Sequence, residues 1–233
     1  MNLFVGTSGY SHAEWKGNFY PERFSQKKML GYYAEHFSTV EVNYTFRQLP
    51  SRKIVENWAE QVPASFRFVL KGSQSITHFK RLQSAEKETD AFLEMASLLG
   101  KRQGPILLQL PPNFKKDVSR LDAFLKHVDG RAKLAFEFRN ATWLDEEVYS
   151  CLRTHGAALC VTDRDELPET GVVHTTNWGY LRLWDDKYTD ARLRKWLDGV
   201  NAQKWREVYV IFMHEDEGVS PKVAARFMKL ADA

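Results

Sequence analysis

Residues 106–138 read ILLQLPPNFKKDVSRLDAFLKHVDGRAKLAFEF and contain a whole βαβ unit. The run Ile106–Leu110 is continuous, apolar and strand-like, and Lys133–Phe138 is a second such run. Between them Leu121, Phe124 and Leu125 recur at helical spacing, so one face of a helix covers the two strands. A strand, a helix and a strand in that order predict parallel pairing with a crossover helix.

Working outward, six more strand-like runs appear, at Leu3–Thr7, Thr39–Thr45, Phe66–Lys71, Ala157–Thr162, Tyr180–Trp184 and Val208–Met213. Apolar helical stripes fall between most of them: Met29, Leu30, Tyr33 and Phe37; Ile54, Val55 and Trp58; Phe92, Leu93, Ala96 and Leu99; Val148, Tyr149 and Leu152; Leu193, Trp196 and Leu197. Gly100 reads as a C-terminal cap, and Ser220 followed by Pro221 as the start of the last helix. Residues 164–179 hold Pro168, Gly171 and Asn177 with little helical period, so the connection between strands six and seven is expected to be irregular. Eight β/α units in 233 residues predict a single α/β domain over 1–233, an eight-stranded parallel TIM-like barrel.

The charge balance, 33 basic against 30 acidic residues, shows no basic run of the kind that tracks a nucleic-acid backbone. It does vary along the chain, with ten basic and five acidic groups in 61–120 and six and ten in 121–180. No apolar stretch is long enough for a bilayer, and the N-terminus enters a strand at once without a leader. Two cysteines, Cys151 and Cys160, make no disulfide framework and have no metal-ligand spacing. A cytoplasmic protein with no membrane contact is expected.

Strand interiors are ordinarily apolar, so polar groups near strand C-termini need a reason. In a barrel, alternate side chains point into the lumen. Glu41, Asn43 and Thr45 share a face of strand two, Glu137 and Arg139 of strand five, and Arg182 and Trp184 of strand seven. Lys71 closes strand three, Gln109 nearly closes strand four, Asp163 follows strand six and His214 strand eight. Barrel enzymes assemble their sites at this rim. A carboxylate beside cations serves as an acid/base, a desolvated lysine as a base or Schiff-base nucleophile, and arginine as a fork for anionic oxygens. The bland alternative is a set of internal salt bridges, Glu137 with Arg139 or Glu41 with Lys71.

Gly6, Thr7, Ser8 and Gly9 form a tight turn after strand one, either a plain turn or a row of amides facing a ligand. Trp15, Phe19 and Tyr20 read as a hydrophobic plug over the rim. His12, His78 and His214 have no HxH or HExxH spacing, so no metal is expected. No nucleotide fingerprint names a cofactor. Asp185, Asp186, Glu215, Asp216 and Glu217 fill the loops where barrels usually bind phosphate. Those loops are therefore expected to be acidic, opposite a basic side at Lys71, His78, Lys80 and Arg81.

The blocks GTSGY and EWKGNFYP in 6–21, TVEVNYTFRQLP at 39–50, FRFVLKGSQSITH at 66–78, ILLQLPPNF at 106–114, LAFEFRNATW at 134–143 and YLRLW at 180–184 resemble the YecE-like barrel family, domain of unknown function seventy-two. The likeness covers nearly the whole chain and implies a TIM-like barrel with a rim pocket, without implying an activity. Motif positions fall on Ser8, Glu41, Asn43, Thr45, Lys71, His78, Gln109, Glu137, Arg139, Asp163 and Arg182. The chain departs from the family pattern at Tyr10 and His12, at Trp184 and Asp185, and at Met213 and His214.

Together these readings give two hypotheses. The first is an enzyme of hydrolase, isomerase or lyase type acting on a small polar or anionic molecule. Glu137, Lys71 and Glu41 are its catalytic groups, and Asn43, Thr45, Gln109, Arg139, Asp163, Arg182, His78 and Ser8 hold the substrate. The second is a non-catalytic module binding a nucleic acid, the disfavoured ligand, or a partner protein.

Overall fold

The computed structural model describes residues 1–164, 171–185, 187–213 and 218–232. Eight strands, β1 (Asn2–Thr7), β2 (Thr39–Val42), β3 (Arg67–Lys71), β4 (Gln103–Leu110), β5 (Leu134–Phe138), β6 (Ala158–Thr162), β7 (Trp178–Leu183) and β8 (Glu207–Phe212), form one parallel sheet in the order β1-β8-β7-β6-β5-β4-β3-β2. Helices α1 (Met29–Ala34), α2 (Tyr44–Arg47), α3 (Arg52–Glu60), α4 (Glu86–Ser97), α5 (Val118–Val128), α6 (Glu146–Thr154), α7 (Asp190–Asn201) and α8 (Val219–Ala231) lie between and after the strands. This is the TIM-like barrel expected from the alternation. The β6–β7 connection holds no helix among its described residues.

Strand pleating divides the apolar residues between two cores. Leu134, Phe136 and Phe138 of β5 and Leu181 and Leu183 of β7 pack under the helices. Val69, Leu107, Ala135, Ala158, Cys160, Trp178, Tyr180, Tyr209 and Ile211 fill the lumen. The polar residues Glu41, Gln109, Glu137 and Arg182 follow the lumenal parity one step nearer the strand C-termini. The lumen is thus apolar below and charged above.

The sheet closes between β1 and β2, where the backbones share a single bridge, Ser8 to Glu41. Side chains complete the seam. The Tyr33 hydroxyl of α1 donates to the Thr39 carbonyl at 3.0 Å and accepts from the Thr7 amide at 2.8 Å, while Ser38 Oγ accepts from the Val5 amide at 3.2 Å. The strands approach so closely that a Cβ on Gly6 would stand 1.9 Å from the Thr39 carbonyl oxygen.

Three local expectations change. Strand β2 stops at Val42, because Asn43 takes helical angles and opens the single turn α2. Thr45 is therefore not on the lumenal face with Glu41. Helix α8 begins two residues earlier than Ser220 and Pro221 suggest, at Val219 behind Gly218 in a left-handed conformation (φ 70). Helix α4 ends at Ser97, and Gly100 (φ 55) turns the chain in a following 3-10 segment.

Candidate active site

Arg182 is the centre of the upper lumen. It projects from β7, 1% exposed, and reaches across the barrel to two other strands. Its Nη2 donates to Glu41 Oε1 of β2 at 2.8 Å, and its Nη1 to Glu137 Oε2 of β5. The other oxygens are engaged as well. Glu41 Oε2 accepts from the Tyr180 hydroxyl at 2.6 Å; Glu137 Oε1 accepts from Gln109 Nε2 at 2.9 Å and Arg139 Nε at 3.1 Å. Register explains the Gln109 contact, since Gln109 and Glu137 are ladder partners on β4 and β5.

A buried carboxylate is costly unless charge and hydrogen bonds compensate it. Burial pushes the Glu137 carboxyl up, but the Arg182 and Arg139 charges, with hydrogen bonds from Arg182 and Gln109, outweigh it and hold it down at about 2. Glu137 therefore stays ionised at neutral pH and is poorly matched to moving a proton there. For Tyr180, burial and the Glu41 charge push the hydroxyl well above its usual range, fixing it as a donor. The triad Glu41–Arg182–Glu137 is a charged cross-brace.

Lys71 is different. Among the described residues its ammonium has no ion pair or hydrogen-bond partner; it sits 4.5 Å above the Phe46 ring. Burial and the Arg182 charge lower its pKa, Glu41 and Glu137 act against them, and Arg139 adds to the lowering. His78 is lowered too, by burial and then by Lys71, Arg139 and Arg81. Its Nδ1 shares a hydrogen bond with Thr77 Oγ1 at 2.9 Å. Arg139 binds Glu137 through Nε alone, which leaves its two terminal nitrogens without a partner among the described residues. Three basic side chains thus surround one amine.

The backbone beside this cluster is irregular. His78 lies on a π-helical turn, Ser75–Phe79, and Arg81 (φ 50), Leu82 (φ 67) and Ser84 (φ 49) follow in left-handed conformations. Both features concentrate at functional sites. Phe79 is 72% exposed at the same corner.

Other expected site residues stand apart from the cross-brace. The Thr45 hydroxyl donates to the carbonyls of Val42 and Lys71, at 3.0 and 2.7 Å, and so anchors the end of β3 to α2. Ser8 Oγ accepts from Asn43 Nδ2 at 2.6 Å. The Thr7, Ser8 and Gly9 amides donate to Tyr33, Phe212 and Glu41, so they do not form a cradle for a ligand. Asp163 accepts from the Trp184 amide at 2.7 Å and from the Tyr188 hydroxyl, tying the ends of β6 and β7 to the α7 side. His12 Nε2 bonds the Ser8 carbonyl at 3.0 Å, and its ring lies 4.5 Å from Trp15. Trp15 and Tyr20 are fully packed with Phe19 against α1.

The expected charge division is partly in view. Lys71, His78 and Arg81 form a basic side, whereas Lys80 pairs with Glu88 at 2.8 Å. On the opposite side Asp185 is neutralised by Arg192. Asp186, His214, Glu215, Asp216 and Glu217 lie outside the described residues.

The sequence reading passes over Tyr180, whose hydroxyl lies on the lumenal face two residues before Arg182; the alternation of β7, extended one step back from Arg182, is the signal that finds it. Among the described residues no helix is long and apolar enough to cross a membrane.

The family model described as "Protein of unknown function DUF72" matches residues 4–233. UPF0759 protein YunF of Bacillus subtilis is 27% identical over 233 residues, covering 92% of this chain and 79% of its own length. UPF0759 protein YecE of Escherichia coli is 32% identical over 139 residues, 59% of this chain, and the match spans about half, 48%, of that relative. Among solved structures, a DUF72 family protein from Thermotoga maritima superposes with a TM-score of 0.84 at 27% identity over 100% of both chains. One from Enterococcus faecalis gives 0.81 at 21% identity, over 100% of this chain and 98% of its own, a likeness of fold.

Proposed function

The chain belongs to the DUF72 family, and from that premise we propose that the barrel mouth is an enzyme site for proton transfer on a small anionic molecule, with Lys71 as the proton carrier. The observation that carries this reading is the unequal treatment of the lumenal charges. Both glutamates are tied to Arg182, while the Lys71 amine has no ion pair or hydrogen bond among the described residues and is biased toward neutrality. A lysine so placed is a general base. Arg139 offers the guanidinium edge that has no partner among the described residues, and His78 adds a polar ring, for the anionic group.

A bound anion also changes Lys71 itself. Its negative charge favours the protonated amine, so the base strengthens once the substrate is seated. Isomerisation and elimination next to a carboxylate or phosphate need this pairing of one proton carrier with one anion clamp. Glu41 and Glu137 act as positioning residues, holding Arg182 and Arg139 in place.

The test is hydrogen exchange from small carboxylates and phosphate esters into deuterated water, followed by NMR, with thermal shift reporting binding. K71M is expected to bind and not exchange, and R139Q to lose binding. If the same anions raise the melting temperature of R139Q and wild type equally, they bind elsewhere and the reading fails. A non-catalytic face for single-stranded nucleic acid or a partner protein is the second reading, favoured by exposed Phe79 beside Arg81. Salt-dependent retention on immobilised single strands, reduced in F79A, supports that reading instead.

A further inference from the structure

We propose that Asp122, Cys151 and His155 bind one divalent cation of borderline softness, Zn2+ foremost, on the outside of the barrel between α5 and α6. Cys151 and His155 are four apart at the end of α6, which stacks thiol and imidazole on one face, one turn apart. Asp122 comes from the neighbouring helix α5. The three potential donor atoms all lie within 4.8 Å of one another. Around a tetrahedral zinc with bonds of about 2.0–2.3 Å, ligand atoms stand about 3.3–3.6 Å apart, so side-chain rotations of about an ångström complete the set. All three residues are partly exposed, which makes those rotations available and leaves a fourth position open to water.

The donors select the ion. One sulfur, one imidazole nitrogen and one carboxylate oxygen suit Zn2+ and Co2+, and disfavour Mg2+ and Ca2+, which prefer oxygen alone. The surroundings orient the carboxylate. Lys126 Nζ holds Asp122 Oδ2 at 2.7 Å, leaving Oδ1 for the cation. In this structure His155 Nε2 lies 2.8 Å from Oδ1. The cation enters between those two atoms and exchanges their hydrogen bond for two coordinate bonds, with the imidazole proton on Nδ1. The thiol proton leaves to solvent on binding. The site is separate from the barrel mouth, so the ion clamps α6 to α5 and takes no part in the chemistry proposed there.

Co2+ titration of the full chain tests this by absorption spectroscopy. The expected result is one Co2+ per chain with a thiolate-to-metal charge-transfer band, displaced by Zn2+ and untouched by Mg2+. C151S abolishes the band, and H155Q and D122N each weaken binding by at least about tenfold. Circular dichroism confirms that each variant is folded, and D122N reads the site independently of any loss of the buried part of Cys151. Cobalt bound without a thiolate band, or bound equally by wild type and all three variants, overturns the proposal, as does no binding at all.

Discussion

Replacing Glu137 by glutamine keeps the shape of the side chain and removes the charge that Arg182 and Arg139 share. The magnitude follows from linkage. A carboxyl held at about 2 in the folded chain against an ordinary 4.5, at about 1.4 kcal/mol per pH decade, contributes about 3 kcal/mol at neutral pH. Removing one partner of a buried ion pair costs about 3–5 kcal/mol, in agreement. The sign is that of a depressed carboxylate. The contribution is complete above 4.5 and fades as pH falls toward about 2. At pH 3 the unfolded carboxyl is already protonated, and only about 1 kcal/mol remains. Urea unfolding of wild type and E137Q, followed by tryptophan fluorescence, should show a gap of about 3 kcal/mol at pH 7 that shrinks to about 1 kcal/mol at pH 3. Other carboxylates titrate in both proteins and drop out of the difference to first order. A gap of the same size at both pH values, or one near zero at pH 7, would refute the cross-brace reasoning.

Tyr180→Phe removes a hydrogen bond to the Glu41 carboxylate and should cost about 2 kcal/mol in the same assay, with the fold retained. Tyr33→Phe leaves the Thr7 amide and the Thr39 carbonyl short of a partner at the β1–β2 seam; about 2–4 kcal/mol is expected, and hydrogen exchange should accelerate at that seam first. Lys71→Met should leave the melting temperature unchanged or raise it. Folding disfavours the lysine charge, a penalty present below its folded pKa and relieved as pH rises toward 10.5, so removing the charge removes the penalty. A marked fall in K71M stability would show the amine to be structurally paired.

The barrel was legible because alternating strands and helices admit few parallel topologies, and because side-chain parity along a strand is fixed. That parity put Glu41, Gln109, Glu137 and Arg182 on one lumenal face, where the structure has them. It could not say which cation meets which carboxylate. Arg182 meets Glu41 across 141 positions of sequence, and the alternatives on the sequence, Arg139 and Lys71, lie at equal parity. Only the curvature of the closed sheet decides between them. Thr45 was misplaced because β2 is short and Asn43 turns helical, which no apolar period announces. The amides of 7–9 looked available because the sheet closure that engages them joins distant strands. Cys151 carries no metal-ligand spacing in the sequence because Asp122, the third donor of the proposed site, belongs to a different helix, so no linear motif contains the set.

The proposed site holds its lumenal carboxylates on Arg182 and gives the proton exchange to Lys71. The most direct measurement is the titration of the Lys71 side chain by 13C NMR of its Cε, assigned by the resonance missing from K71M. A midpoint clearly below 10.5, rising when a small anion is bound, is the result this structure predicts. A midpoint at or above 10.5 that no anion moves would show that Lys71 is an ordinary ion-paired lysine and would contradict the account.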